Sequence, residues 1–183
     1  MSADEIQLVP YDPRWPEMFR SEAERLRQLF GAKIVRRVEH MGSTAVPGLS
    51  AKPVIDMLIE IPSFELAHRT ILPNLREEGW EYLWRDDRPP GHMMFIRRNA
   101  AGVRTHHVHM APAGHPMWQR LAFRDYLRCH PEEARRYEKL KSQLVSEHPG
   151  DRQAYTEGKG EYVKRITVEA LSRLSLSPEA GSS

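Results

Sequence analysis

The sequence predicts one α+β domain, in which a mixed β-sheet is backed by helices and followed by a helical C-terminal part. Three observations predict this class: an amphipathic helix signal opens the chain, strand-like runs occupy its middle, and helical periodicity returns in its last third. The 183 residues suit a single domain, which we place at residues 1–174. Residues 175–183 are expected to form a flexible tail.

Composition excludes several functional classes. The formal net charge of +2 is too small for a purely electrostatic grip on a long nucleic acid, although it permits a local basic pocket. No apolar run approaches the roughly 20 residues that a membrane span needs. The single cysteine excludes an intrachain disulfide and fits a reducing compartment. The acidic N-terminus lacks the apolar stretch of a secretory signal, so we expect a cytoplasmic protein.

Helix and strand signals alternate in the first part of the chain. A short edge strand is expected at residues 6–9. Pro13 and Pro16 then mark the start of a helix whose apolar residues recur at three- and four-residue spacing, and Gly31 ends it. A strand is expected at residues 34–40.

The clearest strand covers residues 54–61. Its odd positions are all apolar, whereas Asp56 and Glu60 fall on the other face. We therefore expect helices on one face of the sheet and a functional surface on the other. A second helix follows from Ser63, and Pro73 must bend or divide it.

Further strands are expected at residues 80–84, 93–97 and 103–110, the last two joined by a hairpin turn at residues 99–102. An exposed loop is expected at residues 85–91. The remaining chain is predicted to be helical.

Within that helical part, Gly114 and Pro116 open one segment and Pro131 starts a helix. Asp151 can cap a final helix, which runs to about Leu174.

A turn of small residues lies between the two strands at the centre of the chain. Gly42 directly follows a strand, where it lets the backbone turn tightly and approach a ligand. Ser43 and Thr44 add hydroxyl groups, and the following N–H groups can point at an anion. Such turns cradle phosphate, but they are also common as purely structural turns. This one is not a P-loop, because the motif's lysine is missing.

Asp56 is a carboxylate inside an otherwise apolar strand, a costly placement when nothing binds it. Nucleotidyl and phosphoryl transfer need a divalent cation, held by carboxylates, beside a phosphate site. The 13 residues from Ser43 to Asp56 let two adjacent strands present both features at one edge. Alternatively, Asp56 only accepts a hydrogen bond from a backbone N–H.

Two histidines complete the candidate metal site. His107 and His109 lie two residues apart on one strand, a spacing that suits two ligands of one ion. With Asp56 on a neighbouring strand and His40 at the end of another, all four could converge; alternatively, His107 or His109 only donates a hydrogen bond. His106 points to the opposite face and is expected to be structural. The other histidines fall at predicted loops or helix surfaces and are expected to be incidental: His68, His92, His115, His130 and His148.

Cationic side chains could line the same pocket. Lys52 precedes the strand of Asp56, and Arg124 and Arg128 share one helix face at a spacing that suits phosphate recognition. Charged residues on helices are more often solvated surface. The other candidate cations are Arg97, Lys141, Arg152 and Lys159.

The run from Glu39 to Leu49, followed by Lys52-Pro53-Val54-Ile55-Asp56, strongly resembles the GrpB-like family. These are small bacterial proteins, also found fused to dephospho-CoA kinase. The resemblance covers about residues 6–170 and implies the fold of the nucleotidyltransferase superfamily related to polymerase beta. It continues in four further places: His107-Val108-His109, Phe123–Arg128 with His130-Pro131, Tyr137–Lys141, and Tyr155 with Lys159.

By this resemblance, Gly42 and Ser43 fall on the superfamily's phosphate-binding turn and Asp56 on its first metal carboxylate. The superfamily usually places a second carboxylate two residues further, where this chain has Leu58. Glu60 would lie about 7 Å from Asp56 by strand rise and is a poor substitute. We therefore expect a single divalent ion, Mg²⁺ or Mn²⁺ with Zn²⁺ as the alternative, rather than two metals.

The sequence thus predicts an enzyme that transfers a nucleotidyl or phosphoryl group from a nucleoside triphosphate to a small-molecule acceptor. One alternative is a nucleotide- or metal-binding regulatory module without turnover, which Leu58 favours. A third is a metal-dependent hydrolase. The predicted site residues are Gly42, Ser43, Thr44, Lys52, Arg124 and Lys159 for the nucleotide, Asp56, His107 and His109 for catalysis, and the same three with His40 for the metal.

Overall fold

A mixed β-sheet lies at the centre of the computed structural model, which describes residues 6–85 and 91–176. The spatial order of its strands is β1-β2-β5-β4-β3, and only the β2–β5 pair is parallel. The predicted α+β class with a mixed sheet is confirmed. The strands are β1 (Val38–Met41), β2 (Ile55–Glu60), β3 (Glu81–Arg85), β4 (His92–Arg98) and β5 (Arg104–Ala111).

Helices precede, interrupt and follow this sheet. Among the described residues, none of the helices is long and apolar enough to cross a membrane. In chain order they are α1 (Trp15–Phe30), α2 (Phe64–Thr70), α3 (Leu72–Glu77), α4 (Arg120–Cys129), α5 (Pro131–Glu147), α6 (Arg152–Gly158) and α7 (Gly160–Leu176).

The main core lies between one face of the sheet and helices α1 to α3. Ile55, Met57 and Ile59 of β2 are fully buried there and pack with Leu26 of α1 and Leu75 of α3. Each such side chain contributes about 1.5–3 kcal/mol through burial. Because strand side chains alternate, Asp56 is directed to the opposite face, as the sequence predicts.

The C-terminal helices pack near β1 and β2 on that opposite face. Leu58 is fully buried there against Met41, Met117 and Leu121. The segment after β1 is held by α4 and α5, since Val46 and Leu49 pack on Leu127 and Tyr137. The helical part therefore fixes the segment that joins β1 to β2.

Several predicted elements differ in extent. The strand expected from residue 34 begins at Val38, because Ile34 and Val35 form a turn whose amides donate to the carbonyl of Gly31. The edge strand expected at residues 6–9 is reduced to one bridge between Val9 and Ala51.

The predicted final helix is divided. Asp151 caps α6 as expected, by accepting a hydrogen bond from the amide of Ala154. Two glycines near Lys159 separate α6 from α7, since glycine weakens a helix interior. At Gly158 an added Cβ would overlap the side chain of Leu144, so α6 and α5 approach closely there.

Other expectations are confirmed. The helix after Ser63 is split into α2 and α3 close to Pro73. Asn99 closes the hairpin turn, because its side-chain oxygen accepts from the amides of Ala101 and Val103.

The helix α7 continues to residue 176, two residues into the predicted tail. The rest of that tail and most of the predicted loop, residues 177–183 and 86–90, lie outside the described residues.

Candidate functional site

Gly42 brings the turn after β1 into contact with Asp56 on β2. Its φ of +73° lies in the left-handed region that favours glycine. A Cβ added at Gly42 would overlap Oδ2 of Asp56 and would lie 3.1 Å from its Cβ and Cγ. Only glycine therefore lets the backbone approach this carboxylate so closely.

The parallel pairing of β2 with β5 places both predicted histidines beside the carboxylate strand. Asp56 pairs with His107, and Leu58 pairs with His109. Nδ1 of His107 lies 2.9 Å from Oδ1 of Asp56. Donor atoms of Asp56, His107 and His109 all lie within 4.8 Å of one another. The structure thus brings together three of the four predicted metal ligands.

Burial and neighbouring charges set the protonation of this cluster. Burial alone would raise the pKa of Asp56. The hydrogen bond from His107 and the electrostatic effects of His107, His109 and Lys52 together are larger, and they leave that pKa below its ordinary value. Burial holds the pKa of His109 well below its usual range. A carboxylate beside a neutral imidazole is the protonation state that metal binding requires.

The donor set fits a single divalent ion. The buried Nε2 of His107 has no hydrogen-bond partner in the described part of the chain. One carboxylate and two imidazoles suit Zn²⁺, Mn²⁺ and related ions. Leu58 offers no second carboxylate, and Glu60 lies 4.0 Å from Arg36 in an ion pair instead. The described residues therefore provide ligands for one ion rather than for a two-metal site.

His92 lies next to this cluster, and its expected place in a loop is wrong, because it is the first residue of β4. Its side chain is 5 % exposed, and its Nε2 lies 3.0 Å from Nδ1 of His109. The sequence prediction missed it because β4 was expected to begin at residue 93, which left His92 in a loop. Met94 pairs with His109, so the two side chains share a face of the sheet. His92 lies two residues before Met94 on β4 and is therefore directed to the same face.

A buried lysine lies on the other side of the turn. Lys141 of α5 is 1 % exposed, and its Nζ lies 3.3 Å from Oγ of Ser43 and donates to the carbonyl of Ser50. Burial, with the charge of Lys159, lowers the pKa of Lys141 to about 7. From the sequence, Lys141 was predicted only as one of several cations that could line a pocket. The local sequence of a helix does not distinguish a buried lysine from an exposed one.

Two further lysines lie close to the ring of one buried tyrosine. Nζ of Lys52 is 4.7 Å and Nζ of Lys159 is 4.3 Å from the ring centre of Tyr155. Burial and the charge of Lys159 lower the pKa of Lys52 to about 7. We call Lys52, Lys141 and Lys159 the lysine cluster. Because the charge of Lys159 repels those of both Lys52 and Lys141, the cluster is a site where an anion would be stabilised.

His40 is placed away from the other predicted ligands. It pairs with Met57, so its side chain lies on the core face of the sheet, where it stacks on Phe19. Its Nε2 lies 3.0 Å from Oγ1 of Thr44. Burial lowers the pKa of His40 to about 4. The prediction of His40 as a metal ligand therefore receives no support from this geometry.

Thr44 and Arg124 are engaged in structural contacts. Thr44 is 1 % exposed, and its hydroxyl donates to the carbonyl of Val54, so that its oxygen accepts from His40. Arg124 donates to Glu39 at 2.7 Å, to the carbonyl of His40 at 2.8 Å and to Asp125. Both side chains hold β1 and its turn, which leaves Ser43 as the turn hydroxyl that faces the lysine cluster.

Comparison with known proteins gives the chain's relatives. The family model described as GrpB protein matches residues 5–169. A UPF0157 protein of Pseudomonas aeruginosa is 42 % identical over 171 residues, which cover 92 % of this chain and 69 % of that protein. A dephospho-CoA kinase of Mycolicibacterium paratuberculosis is 30 % identical over 173 residues, which cover 82 % of this chain and 42 % of that protein.

A solved structure is also similar. The crystal structure of a conserved GrpB protein from Enterococcus faecalis superposes with a TM-score of 0.81 and is 35 % identical. The match covers 92 % of this chain and 99 % of that chain.

Proposed function

The chain belongs to the GrpB family, and from its site geometry we propose that it transfers a nucleotidyl or phosphoryl group from a nucleoside triphosphate to a small molecule, with one divalent metal ion. The observation that carries this proposal is the position of Gly42-Ser43. Gly42 contacts the carboxylate of Asp56, and Ser43 contacts the ammonium of Lys141. The candidate metal ligands and the lysine cluster, which could bind an anion, therefore adjoin the same turn.

The lysine cluster would hold the polyphosphate. Charges on Lys52, Lys141 and Lys159 would neutralise the negative charge that develops on the leaving group, which is pyrophosphate in nucleotidyl transfer and the nucleoside diphosphate in phosphoryl transfer. The hydroxyl of Ser43 would orient the phosphate next to Asp56. This arrangement supplies positioning and charge stabilisation, the two contributions on which phosphoryl transfer mainly depends.

Asp56, His107 and His109 would hold the metal ion. When bound, a divalent ion neutralises phosphate charge and polarises a phosphoryl oxygen. The relative named dephospho-CoA kinase contains a segment similar to this chain, and that name supports a nucleotide-related role. The protein is proposed to act without membrane or long nucleic-acid partners and in the cytoplasm.

The turnover test uses a panel of nucleoside triphosphates with Mg²⁺, Mn²⁺ or Zn²⁺ and a mixture of small metabolites as acceptors. Phosphorus NMR and mass spectrometry follow the released pyrophosphate and the modified acceptor. We expect metal-dependent product from the natural chain and at least a 100-fold lower rate with Asp56→Asn. Phosphate release without a modified acceptor would identify a hydrolase instead.

A regulatory module without turnover is the second candidate. The specific observation in its favour is Leu58, which is fully buried in an apolar cluster at the position where a second metal carboxylate would stand. Metal-dependent nucleotide binding with no product from any triphosphate and acceptor would support this second candidate and contradict transfer.

A further inference from the structure

A buried histidine, His92, contacts the proposed metal ligand His109. Nε2 of His92 lies 3.0 Å from Nδ1 of His109, and both side chains are buried, at 5 % and 7 % exposure. No water competes easily for this contact at such burial. The pair is formed between neighbouring strands, since β4 and β5 are antiparallel partners. Its geometry is therefore set by the sheet.

The direction of this hydrogen bond decides which nitrogen of His109 is available. A neutral imidazole has one N–H donor and one acceptor nitrogen. If Nδ1 of His109 donates to Nε2 of His92, then Nε2 of His109 carries a lone pair, which a metal ion needs. Histidine ligands usually donate their second N–H to a carboxylate, a backbone carbonyl or water. Here the group at hydrogen-bond distance is another histidine, His92.

We infer that His92 is a positioning residue that holds His109 as the Nδ1–H tautomer, and that the resulting one-carboxylate, two-imidazole site prefers a nitrogen-binding ion such as Zn²⁺ over Mg²⁺. This inference rests on the proposed use of Asp56, His107 and His109 as a metal site. It goes beyond that proposal because it identifies the class of ion and a fourth residue.

The donor chemistry supports the preference for Zn²⁺. Mg²⁺ favours oxygen ligands in near-ideal octahedral geometry and keeps several waters, whereas Zn²⁺ takes imidazole nitrogens readily. Leu58, buried beside His109, removes the oxygen ligand that a magnesium site would use. The surroundings of His109 are therefore better matched to nitrogen coordination.

Metal binding without nucleotide tests the inference. The full chain is titrated by calorimetry with Zn²⁺ and Mg²⁺, and with Co²⁺ to follow the visible absorption of the bound ion. We expect Zn²⁺ to bind at least 100-fold more tightly than Mg²⁺. His92→Leu should weaken Zn²⁺ and Co²⁺ binding by about 10- to 100-fold. His92→Gln, whose amide oxygen can accept the hydrogen bond, should recover most of the loss.

The matched control is His106→Gln. His106 lies on β5 but faces the other side of the sheet from His107 and His109, so its replacement should leave Zn²⁺ affinity within about twofold. Equal affinity for Mg²⁺ and Zn²⁺, or an unchanged affinity in His92→Leu, would overturn the inference. These titrations are independent of turnover, so an inactive protein with a zinc site contradicts only the proposed transferase function.

A second measurement applies even if His92→Leu does not fold. Nitrogen-15 NMR of the natural chain reports which ring nitrogen of each histidine carries the proton. The inference expects His109 protonated at Nδ1 and His92 unprotonated at Nε2 in the metal-free chain. The reverse assignment, with Nε2 of His92 donating, would contradict it.

Discussion

Gly42 is the residue on which the geometry of the site depends most directly. Replacing Gly42 by Ala should lower the free energy of unfolding by at least about 2 kcal/mol, because a left-handed φ costs an L-residue about 1–2 kcal/mol and the new Cβ also overlaps Asp56. The same replacement should weaken metal binding. Urea unfolding and metal titration measure both effects.

Gly48 provides a matched control for this substitution. It has a similar φ of +77°, but nothing lies within 4 Å of an added Cβ. Gly48→Ala should therefore lower the free energy of unfolding only by the conformational cost, about 1–2 kcal/mol, and keep its metal affinity. Equal losses in the two variants would show that the contact of Gly42 with Asp56 is unimportant.

At the scale of elements, Arg124 connects α4 to β1. Its side chain is 8 % exposed, and it pairs with Glu39, which is 24 % exposed. Arg124→Met should reduce the free energy of unfolding by about 1–3 kcal/mol, since it leaves the carbonyl of His40 without this donor and leaves the Glu39 carboxylate with Arg37 as its remaining cation. Urea unfolding measures the loss.

The control is Arg135→Met, in an exposed pair with Glu132, which should change stability by no more than about 0.5 kcal/mol. An Arg124→Met variant as stable as the natural chain, but with weakened triphosphate binding, would restore Arg124 to the phosphate-binding role that the sequence predicts.

Strand periodicity was sufficient to predict part of the site. Strand side chains repeat every two residues. Alternation along β2 therefore places Asp56 opposite the apolar core residues, and alternation along β5 places His107 and His109 on the same face as each other. The turn at Gly42-Ser43 was predicted for the same local reason, since glycine after a strand is a local signal.

Register and burial could not be predicted in this way. His40 falls on the core face because it pairs with Met57, and a shift of one residue would reverse that face. Arg124 and Lys141 are both cations on helices, and their burial depends on which helix faces meet the segment after β1. Such long-range packing leaves no local pattern.

At the scale of the whole molecule, the lysine cluster couples anion binding to protonation. Lys141 has a pKa of about 7 because of burial and the charge of Lys159. The pKa of Lys52 is also about 7. A bound polyphosphate favours the charged ammonium and raises both pKa values, so binding at pH 7.5 should take up roughly 1–1.5 protons, about half of them at Lys141. Calorimetry with tripolyphosphate in two buffers of different ionisation enthalpy measures the uptake.

Lys141→Met should bind tripolyphosphate at least tenfold more weakly and take up correspondingly fewer protons. Lys139→Met, on the same helix α5, should leave both quantities unchanged. Proton release on binding, or an uptake that is the same in Lys141→Met, would contradict the role given to this lysine.

The measurement that tests the central claim most directly is binding of a non-hydrolysable nucleoside triphosphate with and without a divalent metal ion. The joint site at Gly42-Ser43 predicts that the metal tightens nucleotide binding at least tenfold, and that Asp56→Asn abolishes this gain while Lys141→Met weakens binding with or without metal. Nucleotide affinity that is independent of both the metal and Asp56 would contradict a combined metal and phosphate site.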